Sequence, residues 1–171
     1  ATHAWKLFEE AGFEVQSLRL ATPPFGQFVA PIDLPDAVQS YAIEAHADGF
    51  EYISLGPAGA DPAEWAVIPA ALGRSDRVFL SGSLTTPNGE LDLANAARCA
   101  ETIVALAKLE PDGFANLRFC ALANVPAYTP FFPAAYAQRE QPAFALALQS
   151  ADLALDCFKQ AKSMDEARQS L

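Results

Sequence analysis

The stretch from Arg77 to Ala123 reads RVFLSGSLTTPNGELDLANAARCAETIVALAKLEPDGFANLRFCALA. Arg77 to Leu84 is rich in β-formers and carries the apolar run Val78-Phe79-Leu80, which predicts a strand buried on both faces. The turn Pro87-Asn88-Gly89 follows. Leu93, Ala96, Ala97, Ala100, Ile103, Val104 and Ala107 then repeat at 3.6-residue spacing until Pro111, which predicts a helix packed through that stripe. Phe114 to Ala123 reads as another strand. A strand, a helix and a strand without a hairpin signal form a βαβ unit, and such a unit makes its two strands parallel.

The same alternation extends toward the N-terminus. Ala4, Leu7, Phe8 and Ala11 lie at helical spacing from Ala1 to Glu10, and Gly12 supplies a stop. Phe13 to Ala21 alternates apolar and polar residues as a strand does. Leu34, Val38, Tyr41, Ala42 and Ala45 predict a helix capped by Asp33 and ended by Asp48-Gly49. Phe50 to Leu55 reads as a strand broken by Gly56-Pro57-Ala58-Gly59. Asp61-Pro62-Ala63-Glu64 has a capping Asp, Pro in the first turn and a Glu placed to close a capping box, so a helix begins there. Pro69 is expected to kink or stop it near Ile68, and Gly73 closes the segment.

Beyond the fourth strand, Asn124-Val125-Pro126 leads into a long loop, Ala127 to Gln138, that carries Tyr128, Phe131, Phe132 and Tyr136. A last long helix is expected from Pro142, buried through Phe144, Leu148, Ala151, Leu155 and Phe158, and Ser163-Met164-Asp165-Glu166 starts a further short one. The fold class is therefore α/β, alternating strand and helix units around a mainly parallel sheet. A helix first is unusual in such a fold. The chain opens on Ala1, and its single methionine is Met164, so the expectation is that a strand preceding Ala1 has been processed, trimmed or left out.

Composition narrows the function. The 171 residues suit one core, and 35 of them are alanine, which favours tight helix packing. A net charge of -10 repels phosphate backbones and anionic lipid, so nucleic acid is not an expected partner. No apolar run approaches the roughly 18 residues that span a bilayer, so no membrane association is expected and a cytoplasmic location follows. Cys99, Cys120 and Cys157 are scattered, with no Cys-x-x-Cys pair and no nearby His. They read as reduced, buried thiols, and neither a metal nor a cofactor is expected.

Ligands of parallel α/β proteins bind beyond the carboxyl ends of the strands. Four loops meet that condition here: 22–26, 56–61, 81–86 and 124–136. The third offers Ser81, Ser83, Thr85 and Thr86 around Gly82, hydroxyls and backbone amides suited to an anion, or else local caps of an ordinary loop. Asn124 opens the fourth. Arg19 and Arg118 fall inside predicted strands, where a guanidinium needs an acceptor. Either they grip a carboxylate or phosphate ligand, or they pair with internal acids such as Glu14, Glu51 or Asp92. The candidate ligand-binding set is Arg19, Arg118, Ser81, Ser83, Thr85 and Asn124, with no catalytic residue assigned.

The strings Leu18-Arg19-Leu20-Ala21-Thr22-Pro23-Pro24-Phe25, Asn116-Leu117-Arg118-Phe119, Phe131-Phe132-Pro133-Ala134-Ala135-Tyr136 and Pro142-Ala143-Phe144-Ala145-Leu146 resemble an uncharacterised prokaryotic family, domain of unknown function 711. The resemblance implies a pyruvate formate-lyase-like α/β barrel. Members are longer than this chain, so it also implies that residues 1–171 are a single α/β domain or roughly the N-terminal half of that barrel. Fold likeness does not carry the lyase reaction. The chain has no glycine-radical loop, although Cys120 falls on a predicted strand where a thiyl-forming cysteine would be sought. Two functions are expected: binding of a small anionic metabolite, or non-catalytic assembly through loop 127–138 and the last helix. The partner would be a second copy or the rest of the barrel.

Overall fold

A computed structural model describes residues 2–138 and 142–171; Ala1, where the sequence reading starts the first helix, lies outside them. The elements run α1 (Thr2–Glu10), β1 (Arg19–Pro24), α2 (Leu34–Ala47), β2 (Tyr52–Ala58), α3 (Pro62–Leu72), β3 (Val78–Ser83), α4 (Leu93–Leu106), β4 (Phe119–Leu122), α5 (Ala151–Gln160) and α6 (Met164–Ser170). The four strands form one sheet in the order β1-β2-β3-β4, and every neighbouring pair is parallel. The α/β class and the parallel sheet are as the sequence predicts.

Strands laid down in chain order by crossovers of one hand put every crossover helix on the same face. That face carries Ile53, Leu55, Val78, Leu80 and Phe119, buried against Leu34 and Val38 of α2 and Trp65, Ile68, Ala71 and Leu72 of α3. Gly82 is closed down upon by the Trp65 ring, which also packs edge-on to Phe119 with centroids 6.5 Å apart. Asp61 accepts from the amide of Ala63 at the start of α3. Glu64 instead reaches back to the amide of Gly59, and the Trp65 indole donates to the Gly59 carbonyl. These contacts fix the turn that leaves β2.

Alternation sends Arg19, Ala21, Tyr52, Ser54, Phe79, Ser81 and Cys120 to the opposite face. No helix covers it. The segment after β4 crosses it instead: the Ser54 hydroxyl donates to the Ala135 carbonyl at 2.7 Å, Phe132 packs edge-on to Phe79, and the amide of Ala137 donates to the Thr22 carbonyl on β1. The Tyr136 hydroxyl donates to the Val125 carbonyl, tying the far end of this strap to its origin.

Several boundaries differ from expectation, each for a local reason. β1 starts at Arg19 rather than Phe13, and Phe13 is exposed, because only from Arg19 does β2 offer a partner. β2 continues through Gly56 and Pro57 to Ala58. There Thr22 Oγ1 accepts from the Gly56 amide, and a Cβ on Gly56 would stand 2.6 Å from the Pro23 backbone, so glycine lets the two strands close. α3 passes through Pro69 to Leu72, because four buried side chains hold it to the sheet against the loss of one hydrogen bond. Phe114–Arg118 is a 3₁₀ turn opened by left-handed Gly113, which shortens β4 to Phe119–Leu122 and puts Arg118 outside it.

The last long helix begins at Ala151, not Pro142, and Phe144, Leu148, Leu155 and Phe158 are exposed rather than buried. In α4 the expected stripe is also outward. The buried residues are Asn95, Cys99, Thr102 and Leu106, whereas Leu93 and Val104 are 75% and 56% exposed. The polar side can face in because its groups are satisfied: the Asn95 amide donates to the Ser83 carbonyl, its oxygen accepts from Arg98, and the Thr102 hydroxyl donates to the Arg98 carbonyl.

Candidate functional site

The carboxyl ends of the strands are held by a polar network centred on the loop from β3 to α4. The Ser83 hydroxyl donates to the Thr85 carbonyl at 2.9 Å and accepts from the Thr85 amide. Thr85 Oγ1 accepts from the amide of Asn124, whose side-chain amide donates to the Gly89 carbonyl at 3.2 Å. Asn124 adopts a left-handed φ of 54°, a conformation that asparagine tolerates better than most residues. Asp92 caps α4 through the amides of Ala94 and Asn95. Ser83, Thr85 and Asn124, found separately in the sequence, are thus one cluster.

Ser81 lies two residues before Ser83 on the same strand face, beside Cys120 in the register. Its hydroxyl is fully buried and has no hydrogen-bond partner. Burying a hydroxyl without a partner costs about 1–3 kcal/mol, so the position calls for an explanation.

Arg19 shares that face but not that end. It pairs with Tyr52, and Ile53 pairs with Val78, so Arg19 is level with Arg77 and four residues below Ser81. That is about 13 Å at 3.3 Å per residue. Its guanidinium lies over the rings of Tyr52 and Phe132, 5.7 and 5.5 Å from their centroids, and Nε donates to the Ser17 hydroxyl. The neighbouring Glu51 carboxylate raises the Tyr52 phenol above its ordinary value.

Arg118 stands at the amino end of β4, away from the cluster. Nη1 donates to the carbonyls of Leu72 and Ser75, and Nη2 pairs with Glu110 at 3.0 Å. The acid is none of the three expected; the sequence offered eight residues of separation and a proline between the partners as the only hint. Sequence reading also missed Ser54, which anchors the strap, and took Thr22, which holds the β1–β2 junction from within β1, for the start of a ligand loop. A serine between Ile53 and Leu55 is the signal that marked the change of face.

Burial raises the thiols of Cys99 and Cys120 and the phenol of Tyr136. A raised group keeps its proton in the folded state after the unfolded chain has lost it, so folding stability falls as pH rises through the ordinary thiol and phenol range. Thermal melts should show a lower midpoint above about pH 9 than at pH 7, the direction set by these groups. An unchanged midpoint across that range would contradict the burial of Cys99 and the partial burial of Cys120 and Tyr136. Among the described residues no group of three or more His, Cys, Asp or Glu is placed to hold a metal. No helix among them is long and apolar enough to cross a membrane.

These features define a parallel α/β protein with helices on one face and an aromatic strap on the other. The chain belongs to the family described as Uncharacterised ACR (DUF711), whose sequence profile matches residues 1–171. It is 30% identical over 140 residues to a "UPF0210 protein" of Pyrobaculum islandicum, a match covering 73% of this chain and 29% of that protein. The match thus spans less than a third of that relative's length. No solved structure matches it.

Proposed function

We propose that this chain is one wall of a larger α/β barrel whose helix-free side binds a small anionic metabolite at the strand ends. The order β1-β2-β3-β4 with helices on one face suits a barrel wall, and the much greater length of the relative leaves room for the remainder. The observation that carries the binding reading is the orphaned Ser81 hydroxyl beneath the Ser83–Thr85–Asn124 cluster. An anion seated there would accept from Ser81 and from rearranged Ser83 and Thr85 hydroxyls, with Asn124 as a further donor. Arg19 adds positive charge lower on the same face; Arg118, engaged elsewhere, is left out.

The test is a thermal-shift screen with small carboxylates and inorganic phosphate. At a hundredfold excess over Kd a ligand stabilises by about 2.7 kcal/mol. Wild type should show that stabilisation, and Ser81→Ala should lose most of it. Without ligand, Ser81→Ala should be neutral or up to about 1 kcal/mol more stable, since it removes an unpaired buried group. No stabilisation by any anion, or equal stabilisation of both proteins, would reject the reading.

The assembly reading has its own support in Phe131, which is 62% exposed, and in the outward Phe144, Leu148, Leu155 and Phe158. Light scattering that finds wild type and Phe131→Glu equally monomeric at micromolar concentration would dismiss it.

A further inference from the structure

The strap is bound to itself more firmly than to the sheet. Within residues 125–138 the Tyr136 hydroxyl donates to the Val125 carbonyl and the Tyr128 amide to the Tyr136 carbonyl, each at 2.8 Å, and the Tyr128 hydroxyl donates to the Gln138 carbonyl. Its hold on the strands is slighter. The Ser54 hydroxyl donates to the Ala135 carbonyl at 2.7 Å, the Ala137 amide donates to the Thr22 carbonyl at 2.9 Å, and the Phe132 ring meets Phe79 and the Arg19 guanidinium. Of the strap's residues only Ala135 is buried, so little apolar surface fastens it. A segment with so few buried contacts opens at far lower cost than the strands beneath it.

We propose that the strap is a lid over Ser81, lifting as one unit about its root at Asn124. Register puts the serine beneath it. Ser81 comes two residues after Phe79, on which Phe132 of the strap packs, and two before Ser83, which is level with Leu122 at the approach to the root. The hydroxyl is thus enclosed between the crossing limb and the root, fully buried and without a partner. A closed strap keeps water from it and a lifted one admits water, so the orphaned group favours opening, and an anion that accepts from Ser81 would favour closure. That use of the lid rests on the binding reading. The motion rests on the strap's own contacts and is tested without ligand.

Native-state hydrogen exchange in low urea, read amide by amide, tests it. Protection of the Ala137 amide should be at least about a hundredfold below that of the Ile53 amide, which donates to the Arg77 carbonyl inside the sheet. Only Ile53 exchange should rise steeply with urea, because lifting the strap exposes little surface. The Tyr128 amide, bonded within the strap, should stay better protected than Ala137. Ser54→Ala should speed Ala137 exchange about fivefold, the equivalent of one lost hydrogen bond. As a second measurement, alkylation of the thiol of Ser81→Cys, located by peptide mass, should outpace that of Cys99, which is 4% exposed on the helix-covered face, and lag behind the same thiol in the unfolded chain. Equal protection and urea dependence at Ala137 and Ile53, Tyr128 exchanging together with Ala137, or exchange indifferent to Ser54→Ala would overturn the lid. So would a Ser81→Cys thiol that reacts no faster than Cys99 or as fast as an unfolded one.

Discussion

Arg118→Ala should destabilise the protein by about 3 kcal/mol or more, the largest loss expected of any charged residue here. Arg118 is only 8% exposed, and truncating it removes a donor from the Leu72 and Ser75 carbonyls and the counter-charge from Glu110. Those carbonyls end α3 and the turn into β3, so the loss spreads to the third strand. At about 2–4 °C per kcal/mol for a chain of this size, the melting midpoint should fall by roughly 6 °C or more. Arg118→Lys should recover part of the loss, since one ammonium can reach some but not all of three acceptors arranged for a planar fork. The ligand-induced shift should be the same in wild type and Arg118→Lys. A midpoint for Arg118→Ala within 2 °C of wild type would show that the guanidinium is not holding these elements.

Trp65→Ala should cost about 3–5 kcal/mol, the range for emptying a buried aromatic site. The ring is 2% exposed, covers Gly82, packs on Phe119 and fixes the Gly59 carbonyl. Gly82→Ala alone should also destabilise, by about 1–3 kcal/mol, because its new Cβ would collide with the indole. Combined, the two changes should cost less than their sum by at least about 1 kcal/mol, since the methyl then enters vacated space. Urea denaturation of the four proteins measures this coupling, and strict additivity would show that the ring and Gly82 are not in contact.

The alternation of strand and helix was readable because buried parallel strands and α-helices leave different periods, and because Asp61 and Ser163 announce helix starts; Asp92, read only as a partner for an arginine, caps α4. What misled is equally specific. The stripe of α4 is apolar where it points outward, and Asn95 and Thr102 face inward on hydrogen bonds that no periodicity reveals. Pro23, Pro24 and Pro57 looked like breakers, yet β1 is an edge strand that accommodates proline and Thr22 supplies the missing acceptor for Gly56. Of the candidate binding residues, Ser83, Thr85 and Asn124 converge because they follow adjacent strands. Arg118 does not join them, because it stands just before β4, four residues short of Leu122 and so at the amino end of the sheet, where Leu72, Ser75 and Glu110 engage it.

The strap carries a consequence for the order in which the molecule is made. Each strand pairs with its immediate predecessor, so the sheet can grow as the polypeptide leaves the ribosome, every new segment docking on one already in place. The bond from Ser54 to Ala135 spans 81 residues and cannot close until the last of them has been synthesised. Until then the side of the sheet bearing Tyr52, Phe79 and Ser81 stays open, and in a nascent chain it is the surface on which a chaperone would find its hold.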